Sequence, residues 1–111
     1  MKKSIAFVIL LVGVVFASYA QQYQTERIVE KDKLVTMIIE YTASLDEAHF
    51  IYSCPAALFD QSEAINAVKE RAILFTKERG YFFYTYYKPD VTKFDNTRNV
   101  ATYTSFIKFL N

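Results

Sequence analysis

The sequence predicts an α+β fold: a single helix packed on an antiparallel sheet, in the order β-β-β-α-β-β, behind a cleaved N-terminal signal peptide. Three observations carry this. One segment has helical periodicity together with a start and a stop signal. The flanking segments alternate apolar and polar residues or concentrate β-branched and aromatic ones. Punctuation is scarce: beyond residue 20, Gly80 is the only glycine, and Pro55 and Pro89 are the only prolines. One amphipathic helix and one half-apolar sheet bury each other's apolar sides as two layers.

The leader comes first. Lys2 and Lys3 form a short positive start, Ile5 to Ala17 is an almost unbroken apolar run, and Ser18-Tyr19-Ala20 places small residues ahead of Gln21. This is the three-part layout of a secretory signal peptide cut between Ala20 and Gln21. The apolar run is too short for a hydrocarbon core that needs about 20 residues. Gln21 stands where a lipoprotein would carry cysteine, so no lipid anchor is expected. Residues 1–20 are then the leader and residues 21–111 a single small domain, exported to the periplasm or secreted, with no membrane span after cleavage. An uncleaved leader would instead make the protein a membrane-anchored accessory.

Within 21–111, Tyr23 to Val29 reads as a first strand and Glu30-Lys31-Asp32-Lys33 as a polar turn. Leu34 to Thr42 follows, with Val35, Met37, Ile39 and Tyr41 on one face and Leu34, Thr36, Ile38 and Glu40 on the other. Glu47 to Ser53 is a third strand on the strength of Phe50, Ile51 and Tyr52. The helix spans Gln61 to Arg79. Asp60 caps it with Glu63 three residues on. Ile65, Val68, Ala72 and Phe75 mark its buried stripe, widened by Ala64, Ala67 and Leu74. Gly80 supplies the left-handed stop. The charges Glu63, Lys69, Glu70, Arg71, Lys77, Glu78 and Arg79 read as its solvent side. Tyr81 to Tyr87 is a strand by aromatic density, ended by Lys88-Pro89-Asp90. Val91 to Asn99 reads as a loop, and Val100 to Leu110 as the last strand with Ala101, Tyr103, Ser105, Ile107 and Phe109 on one face.

Charge and cysteine usage narrow the function classes. After the leader, 11 basic residues stand against 12 acidic ones, with no basic run. Nothing steers this chain to nucleic acid. Cys54 is alone, so packing rather than an internal disulfide holds the domain. Its plain reading is a small buried apolar residue; the sharper one is a thiol pairing with another chain.

Four residues are candidates for binding. Tyr84 and Tyr86 alternate with Phe83 along the aromatic strand, and the helix covers only one sheet side, so some of these rings meet solvent or a partner. Tyr103 is their expected cross-strand neighbour. His49 is the only histidine, and Glu47-x-His49 puts a carboxylate and an imidazole on one strand face. A structural zinc site needs four ligands, which one histidine and one cysteine cannot supply, so no metal is expected. His49 and Cys54 point to opposite faces of a continuous strand, which disfavours a nucleophilic pair. Phosphate-cradling loops need several glycines, so no cofactor is expected either.

The leading expectation is a non-catalytic binding or interaction domain using an aromatic-rich sheet face with Tyr84 and Tyr86. Its partner would be a protein or envelope component, or a second copy added at an edge strand, with Thr104 to Leu110 suited to self-association if it lies at an edge. The alternative is a small ligand-binding cup or enzyme with a pocket around His49, to which Tyr41, Tyr52 and Tyr103 would contribute.

Overall fold

The computed structural model of the chain describes residues 8–16 and 24–111. Its elements are β1 (Val8–Phe16), β2 (Gln24–Asp32), β3 (Val35–Thr42), β4 (Glu47–Pro55), α1 (Gln61–Glu78), β5 (Phe83–Asp95) and β6 (Val100–Leu110). From β2 onward this is the expected α+β architecture, one helix on an antiparallel sheet in the order β-β-β-α-β-β. The sheet order is β1-β2-β3-β4-β6-β5, and every pairing is antiparallel. Val8–Phe16, within the stretch expected to be a leader, lies as an outer strand along β2. The cleavage pair Ala20 and Gln21 lies outside the described residues.

Alternation builds the core. Met37, Ile39 and Tyr41 of β3, Phe50, Tyr52 and Cys54 of β4, and Tyr103, Ile107 and Phe109 of β6 all turn to one face. There they meet Ala64, Val68, Ala72 and Phe75 of α1. The helix forms where its signals predict: Asp60 accepts a hydrogen bond from the Glu63 amide at 3.2 Å, and Gly80 follows with φ +79°. Cys54 is a buried free thiol in this core.

Four expectations are corrected. The turn after β2 is shorter than Glu30 to Lys33. Asp32 pairs with Val35, leaving only Lys33 and Leu34 in the loop, with Lys33 at φ +58°. Glu30 therefore belongs to β2, on the core side. Arg71 is not on the solvent side of α1: its Nε and Nη2 donate to the two Glu30 oxygens at 2.9 Å each, and both residues are buried. Leu74, expected in the buried stripe, is exposed instead. Finally, Lys88-Pro89-Asp90 does not end the aromatic strand. β5 runs on to Asp95 through register shifts between Tyr86 and Val91, and the turn comes at residues 96–99, where the Thr97 and Arg98 amides donate to Asp95 Oδ1. β5 is an outer strand, so a residue without an N–H can sit at its bulge without breaking a ladder.

Candidate functional site

Only one side of the sheet carries the helix. The other side is built from the opposite phase of the same strands, and the register aligns its residues into three rows that run from β2 to β5. The middle row is Val29, Ile38, Ile51, Thr104 and Val91, one residue from each of β2, β3, β4, β6 and β5. On one side of it runs Lys31, Thr36, Ser53, Thr102 and Lys93, hydroxyls closed at both ends by lysine. On the other side runs Arg27, Glu40, His49, Phe106 and Lys88. The central residues of these rows are half-buried by their neighbours, and no helix or loop among the described residues covers them.

The predicted tyrosines lie on the other side. Tyr84 pairs with Phe109 and Tyr86 with Ile107, both core residues, so Tyr84 and Tyr86 face the helix side and not the open face. Tyr84 packs against the core margin, while Tyr86 is 45% exposed beside it, the two rings meeting edge to face at 5.8 Å. Tyr103 is buried on the same side; its hydroxyl donates to Asp90, carried inward by the β5 bulge, and accepts from Ser105 Oγ at 3.4 Å. Burial, then the Tyr84 hydroxyl, pushes the Tyr86 phenol up, and burial, then Asp90, does the same to Tyr103. The Tyr86 and Tyr103 phenols are therefore neutral hydrogen-bonding groups. The structure brings Tyr84, Tyr86 and Tyr103 to one margin of the domain but sets His49 on the opposite side of the sheet.

His49 lies in a shallow depression on the open face, lined by Thr25, Glu40, Thr42, Glu47 and Tyr87. Its Nε2 is 3.1 Å from the Tyr87 hydroxyl, and its ring meets the Phe106 edge at 4.8 Å. Glu40 stands 3.9 Å from Nδ1, outside hydrogen-bond reach. Burial, then Glu47, raises the Tyr87 pKa. The expected pairing of Glu47 and His49 on one face is present. The wider cup is not: Tyr41, Tyr52 and Tyr103 point into the core from the other side of the same strands. Tyr41 is engaged there, its hydroxyl 2.6 Å from that of Tyr81, which donates to Asp46 Oδ1 at 2.7 Å.

The condition attached to Thr104 to Leu110, that it lie at an edge, is not met. Thr104 to Leu110 belongs to β6, which is held between β4 and β5 and offers no free edge. The outer strand on that side is β5, where Phe83 and Phe94 are exposed, and Phe82, just ahead of it, is 82% exposed. Phe82, Phe83 and Tyr84 form a groove with Ile73, Thr76 and Lys77 of α1.

The open-face rows escape single-strand reasoning because they exist only once the register is set. Their trace was nonetheless visible in the Thr36, Ile38 and Glu40 phase of β3, whose partners lie far off in sequence. Tyr87 as the partner of His49 depends on the β5 bulge, for which Pro89 is the only local sign.

Among the described residues, no group of three or more His, Cys, Asp and Glu is arranged to hold a metal ion. No helix among them is long and apolar enough to cross a membrane. Comparison of the chain with protein-family models, with curated proteins and with solved structures finds no match.

Proposed function

We propose that this is an exported, non-catalytic interaction domain that docks a partner protein on its uncovered sheet face. The observation that supports it is the middle row: Val29, Ile38 and Ile51 form an apolar line across three adjacent strands, continued past Thr104 by Val91, on a side that carries no second layer among the described residues. An apolar sheet side is ordinarily covered by another layer, and contiguous apolar surface left open on a small domain is a mark of a binding site. Export rests on the leader alone; a mature N-terminus at Gln21 in mass spectrometry of the secreted or periplasmic protein is the expected result.

The docking reading is tested by affinity capture from the producing cell's envelope fraction. Replacing Ile38→Thr and Ile51→Thr together keeps β-branched residues in the strands while removing the apolar line. Loss of a captured partner in this variant, with retention in Tyr86→Ala on the opposite side, supports the reading. Equal capture by all three proteins refutes it.

A second reading is attached to the His49 depression, where imidazole, phenol and two carboxylates converge around a small opening. It takes His49 as a ligand-binding group. A small polar molecule that shifts the His49 ring resonances, and no longer does so in Tyr87→Phe, would favour it over the docking face.

A further inference from the structure

The charges around the open face say what kind of partner it fits. From β2 to β5, each end of the row is bracketed by two cations: Val29 lies between Arg27 and Lys31 on β2, with Leu11 of β1 paired beyond it, and Val91 between Lys88 and Lys93 on β5. Arg27 has Glu40 at 3.7 Å, and Lys88 lies over the Phe106 ring at 5.1 Å. Among the described residues, no carboxylate comes within ion-pair distance of Lys31, Lys88 or Lys93. The face is thus an apolar and hydroxyl-bearing strip with uncompensated positive charge at both margins.

This pattern selects against a second copy. A two-fold axis along the apolar row sets Lys31 over Arg27 and Lys93 over Lys88. A two-fold axis along the strands sets Lys31 over Lys93 and Arg27 over Lys88. Both face-to-face arrangements stack like charges, which opposes association. The four strand spacings from β2 to β5 cover about 19 Å, the rise of about 13 helical residues. Resting on the docking reading above, we propose that the face takes an acidic amphipathic helix of a partner protein. The apolar stripe of that helix lies along Val29, Ile38, Ile51 and Val91, and carboxylates about 13 residues apart meet the lysines at the two margins.

The test uses the protein obtained by expressing the full chain, with its N-terminus defined by mass spectrometry. The probe is a synthetic 18-residue helical peptide with a leucine stripe flanked by glutamates. A second peptide keeps the stripe and carries lysines instead. Binding is followed by amide chemical shifts. Saturable shifts centred on Ile38, Ile51 and Thr104 with the glutamate peptide are the expected result. They should weaken about tenfold in Lys31→Glu with Lys93→Glu and be absent with the lysine peptide. No binding by the glutamate peptide, equal binding of both peptides, self-association through these residues on concentration, or preferential binding to anionic phospholipid vesicles would each overturn the proposal. Should the peptide fail while Ile38→Thr with Ile51→Thr still abolishes partner capture, the face docks a partner of other chemistry and only the acidic-helix assignment falls.

Discussion

Arg71 lies one helical turn from Phe75 and Val68, and its sequence neighbours Lys69 and Glu70 are exposed. Its burial becomes intelligible only with Glu30, which shares the strand phase of Ile28 and so must enter the core with a carboxylate. The bidentate contact at 2.9 Å answers that burden by matching the guanidinium fork to both oxygens. Removing one member is then far worse than removing both. Arg71→Ala, which strands the Glu30 carboxylate, is expected to cost about 3–5 kcal/mol in denaturant unfolding. Arg71→Met with Glu30→Leu should recover most of that loss. Equal instability of the single and double variants would contradict the account. Glu26, four positions before Glu30 and in the same phase, pairs with Arg79 at 2.9 Å. The Arg79 hydrogen bonds hold its pKa down, against a smaller opposing effect of burial. A carboxyl depressed in the folded state adds stability above its ordinary pKa, and that stability is lost as pH falls through the folded value. Glu26→Gln is therefore expected to flatten the acid side of a stability-versus-pH profile below about pH 4.3 and to change nothing above neutrality in that profile's shape. An unchanged acid limb would remove Glu26 from the explanation.

At the level of elements, legibility followed how local the determining contacts are. The helix carries its own instructions: Asp60 ahead of Glu63, an apolar stripe at helical spacing, and Gly80 at a backbone angle that side chains resist. Its bounds were accordingly readable to within one residue. Asp60→Ala is expected to cost about 1 kcal/mol, seen as a lower unfolding midpoint with an unchanged denaturant slope; a neutral effect would mean that the 3.2 Å contact contributes nothing. β6 was equally readable, since all of its inward residues sit between two partner strands and alternate without interruption. β5 was not. Its second half is polar, its pairing with β6 shifts register twice, and Pro89 imitates a strand end. What keeps residues 91–95 extended is the pairing of Val91, Thr92 and Lys93 with Thr104, Tyr103 and Thr102, a non-local cause that a pass along the chain cannot weigh. The same non-locality decided the binding candidates. Tyr84 and Tyr86 could face either way until Phe109 and Ile107 were known as their partners, and the choice fell to the helix side. His49 then shared no surface with them.

For the whole molecule, the relation between β1 and the rest of the sheet makes the last prediction. In the full chain Val8–Phe16 occupies the outer side of β2, pairing from Lys31 to Gln24. Yet α1 makes its main contacts with β4, β5 and β6, on the far side of the sheet from β1. The composition of β2 points the same way. Glu26, Arg27, Glu30, Lys31 and Asp32 crowd one nine-residue strand, and charge of this density is how sheets blunt an exposed edge against pairing with another chain. A strand meant to stay covered by the apolar run of β1 has no need of it. The chain beginning at Gln21 is therefore expected to fold on its own, to unfold cooperatively, and to remain monomeric at tens of micromolar in light scattering after size exclusion. A dimer that forms through β2, or a product without a cooperative transition, would show that the sheet needs its first strand and that the first twenty residues belong to the fold.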